Sequence, residues 1–149
     1  MAEDQALLGR LRRVEDILEI QRLLLDYGVH LDARDLRAYS NLFCEDGEWT
    51  GATGSAVGPE AIQAMLEANL TPNPPAPGAT GWHIVSNPLI DLDGDRATAS
   101  TTWAVIRRQP GDTPAMVLLG HYDDVLEREH GRWRFKRRQA HIDIPDNPV

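Results

Sequence analysis

Residues 82–144 read WHIVSNPLIDLDGDRATASTTWAVIRRQPGDTPAMVLLGHYDDVLEREHGRWRFKRRQAHIDI, and this stretch decides the fold. It divides into four strand-like runs, Trp82 to Leu92, Arg96 to Gln109, Ala115 to Glu129 and Arg132 to Ile144. Asp93-Gly94-Asp95 and Glu129-His130-Gly131 have the composition of tight turns, so the first run pairs antiparallel with the second, and the third with the fourth. Strands of this length twist and curl.

Upstream, Thr71 to Gly81 carries four prolines and two glycines, which suits a loop or lid and not a strand. Gly58-Pro59 opens a helix from Glu60 to Leu70, with Ala61, Ile62, Met65, Leu66 and Leu70 on its buried face. Glycines at 51 and 54 turn a short hairpin over residues 48–57. From Ala6 to about Val29, apolar residues at Leu7, Leu11, Val14, Ile17, Leu18, Ile20, Leu24 and Tyr27 recur at helical spacing. Asp35 caps a second, short helix through Leu36, Tyr39, Leu42 and Phe43. Pro145 to Val149 reads as a frayed tail.

Helices followed by a meander of long strands give the α+β class. The expected architecture is a curved antiparallel sheet wrapped by N-terminal helices into a cone-shaped barrel with a central pocket. One domain spans residues 1–149, with its core at about 6–144. The open mouth of such a cone is the default seat for a small apolar ligand.

The 149 residues carry a net charge of −8, which repels a phosphate backbone and argues against nucleic-acid partners. Cys44 is the single cysteine, so no internal disulfide and no cysteine-based metal cluster can form. The chain shows no apolar run long enough to span a membrane and no secretion signal, and the expected compartment is the cytoplasm.

In order along the chain stand Tyr27 and Asp32, Asp35, Leu42-Phe43, Gly58 before a helix, His83-Ile84-Val85-Ser86-Asn87, Gly120-His121-Tyr122-Asp123-Asp124, and Gly131-Arg132-Trp133-Arg134-Phe135. This order resembles the SnoaL-like, or nuclear transport factor 2-like, superfamily over nearly the whole chain. Relatives of that fold include scytalone dehydratase, bile acid 7α-dehydratase, a dehydrochlorinase, limonene-epoxide hydrolase and polyketide cyclases, together with non-catalytic members. Fold alone therefore names no reaction. In the elimination enzymes an aspartate ends the first helix, a histidine lies early in the sheet, a tyrosine precedes the aspartate and an arginine sits on the last strand. The resemblance carries these positions onto Asp32, His83, Tyr27 and Arg138.

As chemistry, His83 can abstract a proton near neutral pH without a cofactor, and a carboxylate on its far nitrogen fixes the tautomer. Asp32 is the candidate orienting group; a histidine and an acid paired for purely structural reasons is the competing reading. Tyr27 offers a phenol to a developing oxyanion. On an ideal helix Tyr27 and Asp32 point about 140° apart, so both face one pocket only if the helix ends near Gly28 to Leu31. His30, in the same turn, is the substitute for either. Strict alternation turns Trp133, Phe135 and Arg137 to one side, whereas the resemblance selects Arg138; a bulge would reconcile the two. Trp49, Met65, Trp103, Leu119 and His121 are candidate substrate-binding residues, with Trp82 and Phe43 further aromatic or apolar candidates. The five histidines show no His-x-His or His-x3-His spacing, so no metal is expected, and the absence of a phosphate or nucleotide fingerprint points to chemistry without cofactors.

Two functions stand: a cofactor-independent lyase acting on a small hydrophobic molecule, with isomerisation, cyclisation or C–C cleavage as related outcomes, or a binding or assembly module like the small subunit of aromatic-ring dioxygenases. Strand residues Val105, Val117 and Val125 suggest an outer face covered by a second copy, giving a homodimer or homotrimer.

Overall fold

The structure is a computed structural model that describes residues 1–146; residues 147–149, within the segment read as a frayed tail, lie outside the described residues. The elements run α1 (Ala2–Ala33), α2 (Leu36–Ser40), β1 (Phe43–Gly51), β2 (Gly54–Val57), α3 (Pro59–Leu70), β3 (Gly81–Asp93), β4 (Arg96–Gln109), β5 (Thr113–Glu129) and β6 (Arg132–Ile144). Phe43 opens β1 and does not belong to α2, which is shorter than expected. One sheet has the order β2-β1-β6-β5-β4-β3. It is mixed, because β1 runs parallel to β6, with Trp49 opposite Arg138. The sheet stays open at edges β2 and β3, and the helices pack into its curve, so the α+β cone is present with one parallel seam.

Alternation sorts the long strands into two faces. On β4, Ala97, Ala99, Thr101, Trp103 and Val105 are buried in the core, Thr98, Ser100 and Thr102 between them are exposed, and Ala104 is buried as well without joining the core cluster. Val105 therefore belongs to the core and not to an outer interface. On β6, Phe135 lies opposite Leu126 but Arg137 lies opposite Val125, which leaves Lys136 as an inserted residue. That bulge lets Trp133, Phe135 and Arg138 all face inward.

The long helix divides. Ile20, Leu23, Leu24 and Tyr27 enter the core, while Leu7, Leu11, Val14 and Leu18 remain exposed. The predicted stripe is thus half core and half open surface. At the dividing point sits Asp16, which accepts from Arg128 Nη2 at 2.6 Å and from Trp133 Nε1 at 3.1 Å. Burial pushes the Asp16 carboxyl up, but those two hydrogen bonds and the charges of Arg128 and Arg12 outweigh it and hold its pKa below the ordinary value. Stability from this clasp is complete above the usual carboxylate range and is lost as acid takes pH down through the folded value. Asp16→Asn is expected to cost about 2 kcal/mol at neutral pH. Thermal melts across pH check this: the wild-type and variant curves converge in strong acid.

Candidate functional site

The site begins with a glycine. Gly28 marks where the end of α1 lies on β3: a Cβ there would stand 3.4 Å from the His83 carbonyl oxygen and 3.5 Å from His83 Cβ, ordinary contact that an alanine would also make. Asp32 follows four residues later, one turn on and on the same face. Helix α1 then stops at Arg34, whose φ of 55° turns the chain away. Arg34 also ties the loop after α3, donating to the carbonyls of Leu70 at 2.8 Å and Asn73 at 2.9 Å.

Asp32 grips one residue twice. Its Oδ2 accepts from the His83 backbone N–H at 2.8 Å, and its Oδ1 lies 2.6 Å from His83 Nδ1. With Nδ1–H donated to the carboxylate, Nε2 is the basic nitrogen. Both side chains keep about a fifth of their surface, 23% for His83 and 21% for Asp32, so solvent reaches the pair.

From His83 an aromatic row crosses the inner face. The His83 and Trp103 ring centroids are 6.5 Å apart, Trp103 stacks on Tyr122 at 5.6 Å, and Tyr122 meets Tyr27 edge-on at 5.3 Å. Gly120 makes room for Trp103, since a Cβ there would fall 2.4 Å from the indole. Trp103 Nε1 and Thr101 Oγ1 are buried polar atoms on this face without a hydrogen-bond partner among the described residues. Burial, with Tyr27 second, holds the Tyr122 phenol's pKa well above its usual value, so Tyr122 remains a neutral donor.

Arg138 lies deeper. It is fully buried and forms two hydrogen bonds to Asp124, Nε to Oδ1 at 2.8 Å and Nη2 to Oδ2 at 2.7 Å. Its guanidinium carbon sits 4.0–4.1 Å from the ring centroids of Tyr27, Tyr122 and Phe135. Burial works against this charge, but Asp124's charge and hydrogen bonds outweigh it and raise the arginine pKa. Nη1 alone has no partner among the described residues.

The structure therefore joins His83 to Asp32 and joins Tyr27 to Arg138, as two groups. The helix continues to Ala33, past the limit at which Tyr27 and Asp32 would converge, and the Tyr27 hydroxyl accepts from Trp49 Nε1 at 2.9 Å inside the core. Arg138 on β6 is three strands from His83 on β3, about 14 Å along the sheet. Trp49, Trp103 and Phe43 are inward, and half-buried Met65 packs against the same cluster. Leu119 and His121 are corrections: they pair with outward Ala104 and Thr102 and lie on the opposite face from His83. Leu119 lines an open groove of about 450 Å³ there with Ile84, Met116 and Ile144, and Trp82 is exposed. Sequence reasoning quoted Tyr122 and Asp124 in a motif but gave neither a role in the site. Cys44 is no nucleophile, because burial and then nearby Glu129 push its thiol up to about 12.

No curated protein gives a significant sequence match. Among solved structures, a nuclear transport factor 2-like protein of Novosphingobium aromaticivorans is 28% identical, with 93% of this chain and 89% of that chain covered and a TM-score of 0.79. A protein of the same organism provisionally named scytalone dehydratase is 26% identical over 92% of this chain and 91% of its own, with a TM-score of 0.73. The beta subunit of a provisionally named aromatic-ring-hydroxylating dioxygenase, again from that organism, is 18% identical over 89% and 92%, with a TM-score of 0.72, and shares the fold alone. No helix among the described residues is long and apolar enough to cross a membrane. The family pattern for the SnoaL-like domain matches residues 12–139, most of the chain, and the chain belongs to that family.

Proposed function

We propose that the chain is a cofactor-independent lyase of the dehydratase type, acting on a small hydrophobic carbonyl compound, aromatic or polycyclic. One observation carries this reading: a histidine whose Nδ1 is held 2.6 Å from a carboxylate at a solvent-reached position beside an aromatic wall. His83 Nε2 takes the proton next to the carbonyl, and the C–H electron pair forms the new double bond. The β-hydroxyl then leaves with its bonding pair and receives the proton from the imidazolium as water. Asp32 steadies the imidazolium while it exists. The indole of Trp103, the ring next to His83, supplies the apolar wall on which an aromatic substrate would pack. Tyr27 and Arg138 serve behind Tyr122 as a buried polar floor, since Asp124 engages most of the guanidinium. Isomerisation, cyclisation or C–C cleavage would use the same base.

Deuterium wash-in tests the reading. With a panel of aryl-fused β-hydroxy ketones in D2O, the wild type is expected to exchange the α-proton or release water, and His83→Ala to lose about 10² to 10⁴ of that rate. A His83→Ala rate within a few fold of wild type would end the proposal.

The ring-to-ring packing of Tyr27, Tyr39, Tyr122 and Phe135 favours a second reading, an assembly module with a filled interior. The dioxygenase beta subunit is a neighbour with that fold. Failure of the whole panel with the wild type, together with a stable complex with a larger catalytic subunit, would select it.

A further inference from the structure

Both of the last two strands carry the pattern His-x-Asp, His121-Tyr122-Asp123 on β5 and His141-Ile142-Asp143 on β6. The strands are antiparallel and His121 lies directly opposite His141, so the two patterns meet head to tail on the outer face. Their imidazoles stack at 4.4 Å with an interplanar angle of 11°. Asp143 holds one end: its Oδ1 and Oδ2 lie 2.9 and 2.8 Å from His121 Nδ1. Asp123 stands at the other end, with Oδ2 at 3.8 Å from His121 Nε2 and 3.3 Å from His141 Nε2. His141 Nε2 is buried and its approach to Asp123 lacks the alignment of a hydrogen bond. The three atoms thus converge within 4.8 Å without bonding one another.

The geometry points to a divalent transition-metal site here, with His121, Asp123 and His141 as ligands, Asp143 as the orienting carboxylate, and zinc the fitting ion. Zinc bonds of about 2.0–2.1 Å to nitrogen and oxygen place tetrahedral neighbours about 3.3 Å apart. His141 Nε2 and Asp123 Oδ2 stand at that spacing, His121 Nε2 is 3.8 Å from the same oxygen, and the whole set, within 4.8 Å, must draw together to close on an ion. Asp143 draws the His121 proton to Nδ1 and presents Nε2 as a lone pair, the carboxylate–histidine–metal relay of many zinc proteins. Two neutral imidazoles and one carboxylate suit zinc or a neighbouring first-row ion, and not calcium or magnesium, which take oxygen ligands. Closure requires the stacked rings to splay by rotation about χ2, a soft torsion in histidine. The side chains are 37% exposed for His121, 54% for Asp123 and 43% for His141, so an ion reaches the cluster from solvent once the splaying rings uncover His141 Nε2. This site lies on the other face of the sheet from His83 and is independent of the proposed reaction.

Zinc chloride titrated into the full chain by calorimetry is the test, with cobalt(II) as a spectroscopic substitute. Expected are one ion per chain, the strong visible bands of tetrahedral cobalt, and a melting temperature that climbs with zinc concentration. His121→Ala and His141→Ala should each weaken binding by about 100-fold or more, and the milder Asp143→Asn by about 10- to 100-fold. Wild-type binding weaker than about 1 mM, or tight binding that survives the double His121→Ala/His141→Ala variant, would overturn the site. A folded Asp143→Asn protein that binds zinc as the wild type does would overturn the orienting role.

Discussion

Arg138→Met is expected to cost the fold about 3–5 kcal/mol, the usual consequence of leaving one member of a buried ion pair without the other. Arg138 and Asp124 have no exposed side-chain surface, and their two hydrogen bonds satisfy both carboxylate oxygens. The expected loss is at least a fifth of the 5–15 kcal/mol that holds a typical domain together. It should also depend on pH in a defined direction. Burial already raises the Asp124 carboxyl above its usual range, with Arg138 pulling it back. Without Arg138 the raised value climbs further, and a group whose folded pKa is raised contributes stability below its unfolded value and loses it as pH rises. The variant is therefore least unstable in acid and falls away from the wild type toward neutrality. Replacing both residues, Arg138→Met with Asp124→Leu, removes both desolvation costs and should recover most of the loss. Urea midpoints at several pH values, with unchanged m, check the whole set. A single Arg138→Met variant within about 1 kcal/mol of wild type at neutral pH would contradict it.

The ease of reading this chain varied with the range of the interactions involved. Turn chemistry is local, so Asp93-Gly94-Asp95 and Glu129-His130-Gly131 placed the hairpins β3–β4 and β5–β6 with strand limits accurate to a residue or two. The parallel seam between β1 and β6 joins Trp49 to Arg138 across nearly ninety positions, and no local pattern announces such a pairing. The inward turn of Arg138 depends on one inserted residue, Lys136, which alternation alone cannot reveal. Periodicity misled in α1 because it measures amphipathicity and not which part of a helix meets the sheet; Leu7, Leu11 and Val14 lie on a turn series that runs beyond the core. For Leu119 and His121 a signal existed. Tyr122 and Asp124 share a parity on β5, and a strand that buries them must turn His121 outward. The metal-like cluster escaped a search of single-strand spacings because its ligands come from two strands about twenty residues apart.

Asp32→Asn should be nearly as damaging to turnover as loss of His83 itself, about 10² to 10⁴ in kcat, although it changes only one atom and a charge. The reason lies in the double grip. The carboxylate accepts at both oxygens, one from the His83 backbone N–H and one from the ring. Asparagine has a single acceptor oxygen and an NH2 that can only donate. Its oxygen is expected to keep the backbone N–H, the group whose position β3 fixes, so the NH2 then faces Nδ1. A donor at Nδ1 forces the ring proton to Nε2, and the nitrogen that should take a proton from substrate already carries one. The fold should survive, because Asp32 is partly exposed and asparagine occupies the same volume. On the proposed reading the substrate packs on the aromatic wall and not on Asp32, so its affinity should survive as well, and kcat falls while KM stays within a few fold. A nitrogen-15 spectrum of the His83 ring separates this account from a merely structural role, showing the proton on Nδ1 in the wild type and on Nε2 in the variant. If the variant keeps the Nδ1 proton and still loses turnover, Asp32 acts through charge alone; if it keeps both, the pair at the end of α1 is a structural clasp and the base lies elsewhere.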